Sequence, residues 1–266
     1  MNTFHFPRVG VARAGLLATL LLPGWATAAG LDDTGATLCG NLNQDKQSCP
    51  QTNFPSQDAE TGRDAQQTAG TLSKAGGGAA GFDFTKLDSA GAPLAASAVS
   101  WDCVRDNVTG LIWEVKTDNN GLRDKDWSYT WCNNNASTNG GGAGVCDTGS
   151  SVGSDNCANT ARCDTEKYVA DVNALNPNLC GHTDWRMPTR EELRSIVDYS
   201  IYAPSGVNPT IDVVYFPNTR GYPYWSASPS APDAGYAWLV DFYSGFDGAN
   251  NVKGNYFAVR LVRGGQ

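Results

Sequence analysis

The sequence predicts an α+β domain stapled by disulfides, and three observations carry that prediction. Several short segments alternate apolar and polar residues with period two. Two others repeat apolar residues at helical spacing, and eight cysteines are set among glycine- and asparagine-rich stretches. Period two turns one face of a strand to a core, whereas recurrence at i, i+3 and i+4 makes one stripe on a helix. A few strands, two helices and long disulfide-stapled loops add up to a small twisted antiparallel sheet with helices packed on it.

Among the strands, Gly81-Phe82-Asp83-Phe84-Thr85-Lys86-Leu87 alternates after the flexible run Ala75-Gly76-Gly77-Gly78-Ala79-Ala80. Leu111-Ile112-Trp113-Glu114-Val115 is rich in β-formers and follows turn chemistry at Asn107-Val108-Thr109-Gly110. Asn119-Asn120-Gly121 carries a hairpin-type turn signal. Later strands are expected at Tyr224-Trp225-Ser226-Ala227, Ala237-Trp238-Leu239-Val240-Asp241-Phe242 and Phe257-Ala258-Val259-Arg260-Leu261-Val262. Gly245-Phe246-Asp247-Gly248 and Asn250-Asn251 are read as turns between the last two. Trp113, Trp185, Trp225 and Trp238 lie in periodic apolar surroundings and are assigned to the core.

The first helix is capped by Asp164 or Thr165, carries Tyr168, Val169, Val172 and Leu175 on one face, and ends at Asn176-Pro177. The second starts at Pro188-Thr189, where Thr189 and Glu192 form a capping box. Leu193, Ile196 and Val197 make its buried stripe, and Arg190, Glu191 and Arg194 face mostly outward. Ahead of it, Cys180-Gly181-His182-Thr183-Asp184-Trp185 reads as a scaffold junction with His182 as a turn residue. Asp184 is expected to pair with Arg260 or Arg263, and loss of either Asp184 or Trp185 is expected to abolish folding.

Residues 1–28 read as a signal peptide: Arg8 and Arg13, an apolar run from Leu16 to Leu22, and a small-x-small cleavage pattern at Ala26-Thr27-Ala28. That run is shorter than the roughly 20 residues needed to span a bilayer, so an exported, non-membrane-spanning protein is expected. Residues 29–100 read as an irregular extension and 101–266 as the domain. Removing the leader takes two of the 19 basic residues and none of the 27 acidic ones, leaving 17 against 27, a net charge of −10. Such a chain is repelled by phosphate backbones, which excludes nucleic acid as a partner. Eight cysteines in an exported chain read as disulfides, although they allow about a hundred pairings. Short loops favour Cys39–Cys49 and Cys132–Cys146, and leave the pairing of Cys103, Cys157, Cys163 and Cys180 open. No Cys-x-x-Cys occurs and His182 is the only histidine past the leader, which argues against a zinc site.

Four blocks then occur in order: Val104-Arg105-Asp106-Asn107-Val108-Thr109-Gly110-Leu111-Ile112-Trp113, Asp184-Trp185-Arg186-Met187-Pro188-Thr189 with Glu192-Leu193, Tyr224-Trp225-Ser226, and Val259-Arg260-Leu261-Val262-Arg263. Together, over roughly Trp101 to Gln266, they resemble the Lcl C-terminal domain family, named for the C-terminal region of the Legionella collagen-like adhesin. The resemblance implies a C-type-lectin-like fold, distantly similar to the formylglycine-generating enzyme, and binding at the cell envelope or outside it. It also implies sulfated polysaccharides as a ligand class, against which the net charge of −10 argues. No collagen-like Gly-x-y tract is present.

An enzyme is not expected. Sulfatase-maturing relatives of this fold use paired cysteines late in the chain, and none follows Cys180 here. Related iron-dependent oxidases need several histidines. Asp241 and Asp247 as a glycosidase pair are a weak signal in so acidic a chain. Binding is expected instead to use Tyr222, Tyr224, Asp233, Tyr236, Tyr243, Asp247, Asn250, Asn251, Asn255 and Tyr256, read as loop residues. Aromatic faces suit apolar sugar patches, and amides and carboxylates suit hydroxyls. The partner is a glycan or a surface protein, since the same residue types make protein-binding loops. No cofactor is expected. Calcium is left open, with Asp241 and Asp247 as oxygen donors but no twelve-residue calcium loop.

Overall fold

Two small antiparallel sheets carry the core, where the sequence suggested one. The computed structural model describes residues 33–146, 157–158, 161–201 and 209–264; the expected signal peptide lies outside them. The first sheet has β1 (Phe84–Leu87), β2 (Cys103–Asp106), β3 (Ile112–Glu114) and β7 (Val262–Arg263), in the order β1-β2-β3-β7. The second has β4 (Pro223–Pro229), β5 (Tyr236–Asp241) and β6 (Phe246–Val252), in that order. Among the described residues three short α-helices accompany them: α1 (Gly62–Thr68), α2 (Thr165–Asn173) and α3 (Arg190–Arg194).

The first sheet is buried on both faces, so its alternation sorts residues between two apolar clusters rather than between core and water. Val104, Trp113 and Val262 point into one cluster, with Phe82, Phe84, Leu193, Ile196, Val197, Phe216, Tyr224 and Phe242. Leu87, Cys103 and Ile112 point into the other, with Tyr168 and Val172 of α2, Trp185, Val259 and Leu261. Residues from 33 to 100 are tied to this core through β1, which pairs with β2 along its whole length.

Both expected helices form with the expected caps. Asp164 Oδ1 accepts the Lys167 N–H at 2.8 Å, and Thr189 and Glu192 close the capping box. The stripe of α3 runs past its end, because the helix stops at Arg194 and Ile196 and Val197 are buried in the turn that follows. α1 was not anticipated: of its seven residues only Asp64 is buried, so it has no apolar stripe to read. The supposed turns at Gly248 and Asn250-Asn251 are strand β6, whose polar residues are held extended by pairing with β5. The reversal falls at Tyr243–Gly245, with Gly245 at φ 74°. The closing segment is not one strand either. Phe257 bridges Tyr129, Ala258 bridges Tyr224, and only Val262–Arg263 joins β3.

All eight cysteines are paired. The two short-loop pairs are those expected, Cys39–Cys49 and Cys132–Cys146, and the open set resolves into Cys103–Cys180 and Cys157–Cys163. Among the described residues no helix is long and apolar enough to cross a membrane.

The junction at residues 180–193 is the scaffold that its density suggested. Trp185 is 2% exposed; its backbone N–H and C=O are both clasped by the Asn173 side chain at 2.8 Å. Arg186 exchanges backbone hydrogen bonds with Val262 and forms two 2.7 Å bonds to Glu192. Asp184 pairs with Arg263 at 2.7 Å but its side chain is 60% exposed. Arg260 goes elsewhere, into the core. The expectation that Asp184 is indispensable is therefore corrected. An exposed ion pair contributes about 1 kcal/mol or less, so Asp184→Ala is expected to leave a cooperatively folded protein in a urea titration. Trp185→Ala removes a buried indole and remains a severe lesion, on the order of 3–5 kcal/mol.

Candidate functional site

Where α3 meets the second sheet, a charged cluster comes to the surface near the β5–β6 reversal and its exposed aromatics. The Arg190 N–H donates to Ser228 Oγ at 3.0 Å, which fixes the start of α3 against β4. From there the Arg190 guanidinium lies over the Trp238 ring at 4.2 Å. Asp247, on β6 opposite Val240, sits 3.7 Å from Arg190 Nε and 3.6 Å from Arg194 Nη1. The Tyr199 hydroxyl first, and Asp247 after it, hold the Arg194 guanidinium above its ordinary pKa. One carboxylate is thus shared by two arginines, and a stacked indole orients one of them.

The β5–β6 reversal supplies these aromatics. Asp241 Oδ1 accepts the Tyr243 N–H at 2.9 Å and Oδ2 accepts the Ser244 hydroxyl at 3.3 Å, so its carboxylate is used to hold the turn. Gly245 has a φ of 74°, which disfavours a side chain, and a Cβ there would lie 3.1 Å from Val197 and 3.2 Å from the Tyr199 ring, so the turn packs closely on Tyr199. What remains outside is apolar: Tyr199 is 40% exposed, Tyr243 47% and Phe246 70%. Beside Arg194 and Tyr199 opens a cleft of about 380 Å³, whose other walls include Asp33, Thr34, Thr109 and Glu191. That volume is within the range of small-molecule sites.

The ten residues singled out from sequence do not converge. Tyr243 lies in the β5–β6 reversal and Asp247 in the charged cluster, with Asn250 exposed farther along β6. Asn251 is turned to the strand itself, its amide donating to Gly248 O at 3.0 Å. Asp233, which accepts the Gly235 N–H at 2.7 Å, lies between β4 and β5, and Asn255 follows β6, both at the opposite end of the sheet. Tyr236 starts β5 half-buried. Tyr222 and Tyr256 are half-buried neighbours, the Tyr222 hydroxyl donating to Tyr256 O at 3.4 Å. Tyr224 is fully buried against Phe242 and cannot meet a ligand. Trp238, assigned to the core, is half-buried under Arg190.

Four contributors were missed. Arg190 and Arg194 were read as solvated charges of a helix, and Tyr199 and Phe246 were not considered. Phe246 did carry a signal, being a large aromatic between Gly245 and an aspartate. Of the two aspartates named from sequence as calcium donors, Asp241 holds the turn and Asp247 faces two arginines. His182 closes the turn after Gly181, half-buried; desolvation, and then Arg263, lower its pKa.

The model of a known family, described as the Lcl C-terminal domain, matches residues 102–263, more than half of the chain. A search of curated proteins and a search of solved structures each find no match.

Proposed function

The chain belongs to the Lcl C-terminal domain family, an adhesin-associated family, and on that premise we propose that it is an exported, non-enzymatic module that binds carbohydrate or glycoconjugate. One observation supports this above others: the exposed ring of Tyr199 stands against a fixed Arg190–Asp247–Arg194 cluster beside an open cleft, and the β5–β6 reversal next to it exposes Tyr243 and Phe246. Sugar rings stack their C–H faces on such aromatics while fixed charged groups bond the hydroxyls. The C-type-lectin-like fold implied by the family resemblance suits this use, since its loops vary around a constant scaffold.

Charge points to the class of sugar. Arg190 and Arg194 are offset by Asp247 and Glu191, so the cluster offers no net positive field to a polyanion. A neutral glycan is therefore favoured over a sulfated one, and its binding should change little between low and high salt. A protein partner is the second reading: β6 is an edge strand, and its exposed Phe246 and Val252 could seat another chain.

A glycan array at two salt concentrations, with Tyr243→Ala and Phe246→Ala alongside the unmodified protein, tests the proposal. Each substitution is expected to weaken binding by about tenfold, near 1.4 kcal/mol, without lowering Tm. Blank wells throughout would sink the glycan reading and leave the protein partner. Salt-sensitive binding confined to sulfated glycans would refute the charge argument.

A further inference from the structure

Asp33, Asp58 and Asp64 bring one carboxylate oxygen each to within 4.8 Å of one another, away from the matched domain. Asp58 opens a short 3₁₀ turn and Asp64 lies in α1. Asp33 is placed by a specific allowance. Gly62, at φ 69°, leaves the space in which the Asp33 carboxylate sits, and a Cβ there would collide with Oδ2. That oxygen accepts the Asp64 N–H at 2.8 Å, and the Thr34 hydroxyl donates to Asp58.

Asp64 is the anomaly. Its side chain is fully buried; Oδ1 accepts the Gly81 N–H at 2.6 Å, yet Oδ2 is buried with no hydrogen-bond partner. Among the described residues no ion pair reaches any of the three carboxylates. Arg63, next to Asp64 in the chain, is turned instead to Gly81 O at 2.7 Å and Asp83 at 3.7 Å. Burying a carboxylate oxygen beside two others without a donor or a counter-charge is strongly unfavourable.

The second aspartate triad shows what a satisfied cluster looks like. In Asp118, Asp124 and Asp126 the geometry is similar, but Lys125 reaches Asp118 at 2.7 Å and Asp126 at 3.1 Å. Both Asp124 oxygens are used by backbone N–H groups, those of Asn119 and Asn120 at 2.6 Å and that of Asp126 at 2.9 Å. Nothing there calls for a cation.

We infer that Asp33, Asp58 and Asp64 form a calcium site that ties residues 33–34 to α1. An all-oxygen donor set selects a hard cation, and calcium accepts the irregular geometry that magnesium resists. Exposed Asp58 leaves room for water to complete the shell. Asp33 and Thr34 also wall the 380 Å³ cleft, so the ion would fix one side of it.

Calcium titration of the purified protein, by calorimetry and by thermal unfolding against EDTA, tests this. One ion is expected per chain, with a dissociation constant on the order of 0.1–1 mM, as in extracellular calcium modules. Saturating calcium should raise Tm by roughly 5 °C. Asp64→Asn should abolish the effect, but a buried variant can also fail to fold. Asp58→Asn, at an exposed position, therefore decides, with an expected affinity loss of about tenfold or more. Asp118→Asn should bind as the unmodified protein does. The inference is overturned if calcium gives neither heat nor a Tm shift up to about 10 mM, or if Asp58→Asn keeps its affinity.

Discussion

Replacing Glu114 by alanine is expected to destabilise the fold by about 3–5 kcal/mol, because it strands a buried lysine. Glu114 is fully buried at the end of β3. Its Oε1 takes bonds from Lys116 Nζ at 3.2 Å and from the Tyr168 hydroxyl, and its Oε2 accepts the Leu261 N–H at 2.9 Å. The side chain so acts as an extra rung between β3 and the closing segment while neutralising Lys116, whose side chain is 2% exposed. Arg260 is as deeply buried, its Nη1 donating to Glu114 O at 2.6 Å, so removal of the carboxylate leaves two cations with no acid between them.

The pH dependence has a definite sign. Burial, opposed by Glu114, lowers the Lys116 pKa from 10.5 to about 8. Between those values the unfolded chain binds more protons than the folded one, so stability from this group rises with pH through that window. Without Glu114 the folded-state pKa falls further, and the lysine sheds its proton earlier. The deficit of Glu114→Ala should accordingly shrink between pH 6 and pH 9 in guanidinium titrations. Lys116→Met combined with Glu114→Leu should recover most of the loss, as exchange of a buried pair for apolar residues often does. A loss below about 1 kcal/mol, or no coupling to Lys116, would show that water enters and carries the charge.

Glu114 also marks the limit of what the sequence discloses. Its period-two position opposite Trp113 suggests a solvent face, but α2 covers that face with Tyr168, and nothing local announces a second layer. Features built from near neighbours were legible for the converse reason: the capping box, the Asp164 cap and the two short-loop disulfides depend on a few adjacent residues. β6 was lost because Asn250 and Asn251 have turn chemistry, and only pairing with β5 holds them extended. At the candidate site the aromatic and polar wealth of residues 221–256 was visible. Its partition into separate surfaces, and the arrival of Arg190 and Arg194 at Asp247, is a product of tertiary packing.

The same reasoning makes Cys103–Cys180 the most consequential disulfide. It closes a separation of 77 residues, against 6 for Cys157–Cys163 and 14 for Cys132–Cys146. By chain entropy alone its removal should destabilise by about 4 kcal/mol, compared with about 2 and 3 for the shorter loops. Structure adds to that difference. Both sulfurs belong to fully buried residues, one in β2 beside Glu114, the other in the turn that leads to Trp185. The turn is conformationally demanding: Cys180 and Gly181 both have positive φ, 49° and 76°. It also packs so closely on the β1–β2 connection that a Cβ at Gly91 would lie 2.5 Å from Cys180 O. Cys103→Ala with Cys180→Ala is therefore expected to lose more stability in denaturant titrations than the paired alanine variant at Cys157 and Cys163. Equal losses would mean that Asn173 and the Val262 pairing position Trp185 without help from the disulfide.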